Sequence, residues 1–85
     1  MGELAKLPNI GQTVERQLNE AGITTREQLE EIGSKKAWLL IQEIDESACI
    51  HRLLALEGAI RGIKKNLLPT DIKEELKEFY NKHQI

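Results

Sequence analysis

No stretch of five or more residues in this chain alternates apolar and polar side chains between turn residues, so the sequence holds no strand signal. Apolar side chains recur instead at helical spacing. Val14, Leu18 and Ala21 stand at i, i+4 and i+7, which puts them on one face of a helix. The chain has one Phe, one Tyr and one Trp, so its core is built from Leu, Ile, Val and Ala, a composition suited to packed helices. Its 85 residues make one small domain, 1–85, with an adequate but thin core.

The helix boundaries follow from punctuation. The first helix is expected from about Gly11 to Ala21, with Gly22 in the left-handed position that closes a helix and Ile23 returning to the core. TTREQLEEIG follows, with capping-box spacing for Thr25 with Gln28 or Thr24 with Glu27. Ser34 is expected to cap SKKAWLLIQEI, and Ser47 to cap the longest helix, roughly 48–64. Thr70 caps a last helix carrying Ile72, Leu76, Phe79 and Tyr80, and a further helical turn is expected at Glu3–Leu7. The expected architecture is all-α: a compact five-helix domain, helix-hairpin-helix or SAM-domain-like, with the hairpin motif at about 7–32.

Within the longest helix, Gly58 and Gly62 lie four residues apart on one face. Each costs about 1 kcal/mol against alanine inside a helix. The expected return is close packing, with a partner helix approaching the bare backbone. Glu57 and Arg61 stand in the favourable i, i+4 order for an ion pair.

Two stretches, LPNIGQTVERQLNEAGITTREQLEEIG (7–33) and LLALEGAIRGIKKNLLPTDIKEELKEF (53–79), together resemble the C-terminal domain of the TfoX/Sxy family, bacterial regulators of natural competence. The resemblance covers nearly the whole chain. It implies an all-α domain of the helix-hairpin-helix or SAM-like kind, in the cytoplasm of a bacterium. In members that regulate competence this domain follows a separate N-terminal domain, which these 85 residues do not include. Regulatory activity therefore does not carry over whole.

The hairpin raises the question of DNA. In hairpins that grip a phosphate, a tight turn exposes backbone N–H groups at a helix N-terminus. Here Gly11 keeps the second glycine of such a turn, and Asn9 replaces the first. Asparagine tolerates left-handed geometry. The candidate phosphate or DNA contacts are Asn9, Ile10, Gly11, Gln12, Thr13 and Arg16, with Glu15 opposing them. A candidate basic patch is Arg61, Lys64 and Lys65, with Lys35 and Lys36 in question as neighbours.

Charge weighs against strong DNA binding, which draws most of its affinity from Lys and Arg on phosphates. Residues 1–46 hold five Lys/Arg against nine Asp/Glu (−4) and residues 47–85 seven against five (+2), for a net charge of −2. The bland alternative is a folding device whose turn fixes the angle between two helices.

No catalytic constellation is visible, and no enzyme activity is expected. His51 and His83 lack metal-ligand spacing to each other or to Cys49. There is no P-loop and no GxGxxG. No cofactor, metal or membrane span is expected: the longest apolar run is AWLLI, residues 37–41. The lone Cys49 fits a reducing compartment. The expected role is a non-enzymatic regulatory or interaction module that binds a protein partner or itself. The alternative is a weak nucleic-acid-binding accessory domain using the amides of residues 9–16.

Overall fold

The computed structural model describes residues 3–83, and their regular structure is helical. A 3-10 turn, Leu4–Lys6, leads into α1 (Gln12–Glu20), α2 (Arg26–Ile32), α3 (Ser34–Ile44) and α4 (Ile50–Arg61). A second 3-10 turn, Lys65–Leu67, then leads into α5 (Thr70–His83). Among the described residues there is no strand.

One core joins these elements. Leu4, Leu18, Leu29, Trp38, Ile41, Leu53, Leu56 and Leu76 are fully buried in it. Helix α3 packs on α1, α2, α4 and α5, and α4 packs on α2, α3, α5 and the second 3-10 turn. Trp38 is the largest buried side chain. Its indole N–H donates to the Cys49 carbonyl (3.2 Å), which ties the middle of α3 to the start of α4. Phe79 and Tyr80 meet Trp38 edge-on at 6.2 and 5.6 Å, so the aromatic side chains fasten α5 to α3.

Helix ends follow the sequence in part. Thr25 and Gln28 form the expected capping box. Ser34 and Ser47 do not cap. Gly33 and Cys49 hold those positions. The Ser34 hydroxyl is drawn inward to Glu57 Oε1, and the Ser47 hydroxyl to Asp45 Oδ1. A short polar side chain takes the strongest acceptor within reach, and here that is a carboxylate.

Helices α1 and α4 end alike. Ile23 N–H reaches back to the Leu18 carbonyl (2.8 Å), and Ile63 N–H to the Gly58 carbonyl (2.9 Å). Gly22 and Gly62 have φ of +90° and +74°. These are Schellman closures, in which a left-handed residue lets the chain satisfy the last carbonyls. Helix α4, expected to be the longest and to run to about 64, therefore stops at Arg61, and with 12 residues it is shorter than α5 with 14. Gly62 is a terminator rather than part of a close-packed helix face, and a Cβ there would meet nothing within 4 Å.

Gly58 is different. A Cβ built on it would lie 2.5 Å from Asn9 Nδ2 and 2.7 Å from the Ile63 carbonyl oxygen. The close approach is real, but what approaches is the hairpin turn and the chain leaving α4, not a partner helix. Alanine normally gains about 1 kcal/mol over glycine in a helix. Here the overlap reverses the sign, and Gly58→Ala should destabilise the domain by about 1–3 kcal/mol in urea unfolding. A raised unfolding midpoint would contradict this packing.

Candidate functional site: the hairpin turn and the end of α4

The turn is built by Leu7-Pro8-Asn9-Ile10. Ile10 N–H donates to the Leu7 carbonyl (3.3 Å), Pro8 fixes the second position, and Asn9 takes the third at φ +70°. This is the pattern of a type II turn, which requires a left-handed third residue. Among the described residues Asn9 alone adopts positive φ without being glycine.

The Asn9 side chain explains the choice. Its Nδ2 donates to the Ile63 carbonyl (3.0 Å) and, at longer range, to the Ala55 carbonyl (3.4 Å). Its Oδ1 accepts from Lys65 N–H (3.1 Å). A glycine would permit the turn but supply none of these bonds. The residue that departs from the usual glycine is thus the one that fastens the hairpin to the end of α4.

The remaining hairpin residues divide. Ile10 is buried and its N–H is used inside the turn, so it offers no amide to a ligand. Gly11, Gln12, Thr13 and Arg16 are exposed at or near the start of α1. Gly11 is extended (φ −99°, ψ −174°), and a Cβ on it would meet nothing within 4 Å. Neither turn nor packing requires glycine there, although the sequence places it as the second glycine of the turn. Glu15 does not stand on the surface against a phosphate. It is buried, and its Oε2 accepts the Ala5 N–H (3.0 Å), anchoring the first 3-10 turn.

The basic patch is partly neutralised. Arg61 Nε pairs with Glu57 Oε2 (2.6 Å), as the spacing predicts. Lys35 pairs with Glu75 and lies 5.7 Å over the Phe79 ring. Lys64 is exposed, and Lys65 is half-buried. Because Asn9 holds Lys65 N–H, two regions that the sequence treats separately meet in one place: the hairpin turn and the lysines after α4.

Two carboxylates are perturbed. Hydrogen bonds hold the Asp45 carboxyl well below the usual range: first from the Ser47 hydroxyl, then from Ser47 N–H, Gln17 and Arg52. Burial pushes Glu57 up, but hydrogen bonds from Ser34 and Arg61 and the charges of Arg61 and Lys35 outweigh it, and the net shift is downward. The sequence shows the Glu57–Arg61 pair in advance but neither the Asp45 cluster nor the Ser34 bond to Glu57. The signal for Asp45 was the Asp-x-Ser spacing of a side chain that bonds its own backbone two residues on. Nothing local linked Ser34 to Glu57.

Among the described residues no three His, Cys, Asp or Glu side chains gather to hold a metal ion. No described helix is long and apolar enough to cross a membrane.

Fold and site together define a small all-α domain whose N-terminal turn, Leu7–Ile10, is locked onto the end of a central helix. The chain belongs to the TfoX C-terminal domain family, whose model matches residues 1–80. It is 36% identical over 76 residues to Protein Sxy of Escherichia coli (strain K12), covering 89% of this chain but 36% of that protein, so it spans about a third of that relative's length. An uncharacterized protein from Listeria monocytogenes, solved in a triclinic form, superposes with a TM-score of 0.93 at 46% identity, covering 95% of this chain and 92% of that one. A tetragonal form of a Listeria monocytogenes protein of unknown function gives 0.92 at 46% identity, covering 94% of this chain and 98% of that one.

The two carboxylates set an acid limit on stability. Unfolded, they titrate near their ordinary values, about 3.9 for Asp and 4.3 for Glu. Folded, both are lower, so their contribution is complete above that range and is lost as pH falls through the folded values. Melting temperature should hold from pH 7 to about 5 and decline below about 4. Asp45→Asn should make the decline shallower. An equally steep decline in that variant would remove Asp45 from the account.

Proposed function

We propose that this chain is a non-enzymatic regulatory domain of the TfoX/Sxy kind that acts by binding a protein partner. Membership in the family supports the regulatory role. The observation that carries the choice of partner is the inward commitment of the hairpin. The Asn9 amide, the Ile10 N–H and the Glu15 carboxylate are all used to hold the fold together. A hairpin built to grip DNA keeps its N–H donors for phosphates and places no carboxylate among them. The net charge of −2 points the same way, because protein–DNA affinity rests on surplus cations.

A second reading has one observation in its favour. The Asn9 bonds set Lys65, and Lys64 beside it, against the turn that leads into the exposed start of α1, where Gly11 presents backbone without a side chain. A phosphodiester would meet the first-turn amides there, beside two lysines.

Amide chemical shifts during titration with short single- and double-stranded DNA at low salt separate the two. Protein binding expects no shifts at residues 9–16 and 64–65. Shifts confined there, lost as salt rises and lost in Arg16→Glu, would replace it with the nucleic-acid reading. Photo-crosslinking in the native cell, with the reactive group at surface positions on each helix, should then yield discrete protein adducts. No adduct from any position would contradict the proposal.

A further inference from the structure

Leu67 and Ile44 are the exposed large apolar side chains among the described residues, and Leu67 is the more exposed, at 64% against 45%. A single exposed leucine is ordinary. This one stands on a segment that is held from three sides. Asn9 Oδ1 accepts the Lys65 N–H, Leu68 is buried in the core, and Lys73 Nζ donates to the Asn66 carbonyl (3.1 Å). The turn itself is closed by Leu67 N–H on the Lys64 carbonyl (2.9 Å). The fold thus fixes the backbone of residues 64–68 and turns one leucine outward. An apolar side chain on a rigid support loses little entropy when it is covered, which is the property of an interface anchor. Lys64 and Lys65 precede it in the turn, and Lys73, bonded to the Asn66 carbonyl, is held beside it.

The complement lies elsewhere on the same molecule. An open groove of about 440 Å³ runs between the end of α1, α2 and the start of α3. Its lining is mixed: Ala21, Ile23 and Ile32 supply apolar atoms, and Gln28, Glu31 and Lys36 supply polar ones. Helix α2 carries Glu27, Glu30 and Glu31 against Arg26, and Arg26 is paired with Glu30. Glu27 and Glu31, four residues apart, share a face. The groove has room for a leucine side chain, and the carboxylates of α2 oppose the lysines around Leu67. Within the groove Lys36 balances Glu31, so the opposing charge comes from Glu27 beside it on the face of α2.

We infer that this chain binds a second copy of itself head to tail, with Leu67 of one copy in the α1–α2–α3 groove of the next. The inference rests on the protein-binding reading and names its partner. No residue belongs to both surfaces, so the contact is heterologous and each copy keeps a free surface of each kind. Association therefore does not stop at a dimer unless a ring closes. A contact built on one anchor is small, and its affinity is weak.

Light scattering and sedimentation of the full chain from about 10 µM to about 1 mM test this, a range that registers weak association. The weight-average mass should rise with concentration past twice that of the monomer and fall with added salt. Dilution should shift amides in both residues 64–67 and residues 21–36. Leu67→Ser lies on the surface, leaves the core intact and should abolish the rise. Lys64→Glu/Lys65→Glu and Glu27→Lys/Glu31→Lys should each abolish it alone, and a mixture of the two variants should restore it.

A monomer at the highest concentration overturns the inference. So does association that survives Leu67→Ser, or dilution shifts confined to one of the two patches. The broader reading fails separately. A monomer that still gives protein adducts in the cell binds a different partner, and a chain that neither associates nor gives adducts sinks both.

Discussion

Asn9 holds together parts of the chain that are far apart in sequence. Its amide bonds reach residues 46, 54 and 56 positions away. That reach requires three things at once: a left-handed turn residue with a side chain, a helix that presents bare backbone where the side chain lands, and a chain that bends sharply after the helix. Asn9 supplies the first at φ +70°, Gly58 the second, and Gly62 the third at φ +74°. Remove any one and the other two lose their reason. The rest of the molecule depends on the joint because it connects the N-terminal hairpin to the segment that carries Leu67 and leads into α5.

The same joint decides how the hairpin is read. A turn of this shape elsewhere leaves its amides open to a phosphate. Here the Ile10 N–H and the Asn9 carboxamide are used internally, and a buried glutamate at position 15 ties the turn before it to α1. Its outer face still carries Gly11, Gln12, Thr13 and Arg16. The domain presents a groove between α1, α2 and α3 with Glu31 and Lys36 at it, and elsewhere the exposed Leu67 beside Lys64 and Lys65.

Much of the fold is legible in the sequence because helix stripes and their stop signals are local. The stripe Val14, Leu18, Ala21, the Thr25–Gln28 box and the glycine after α1 each involve residues within a few positions of one another. The joint is not legible for the opposite reason. Asn9 looks like a weakened glycine until Gly58 and Ile63 are beside it, and Gly62 looks like half of a helix-packing pair until the chain turns there. Glu15 reads as a solvated charge because its partner, the Ala5 N–H, belongs to another element. Ser34 reads as a cap because Glu57 is 23 residues away. The candidate patches were visible as lists of residues, but their meeting across the Asn9 joint was not.

The central claim is that Asn9 and Gly58 act as one unit, and a double-mutant cycle measures it most directly. Unfolding free energies would be taken for the parent, Asn9→Gly, Gly58→Ala and the double variant. Glycine keeps the left-handed turn while removing the amide that the added Cβ meets. The account expects the double variant to lose less than the two single losses combined, with a coupling of about 0.5–3 kcal/mol. Losses that add within experimental error would mean the turn and the helix are stabilised independently, and the joint would not be the organising contact of this fold.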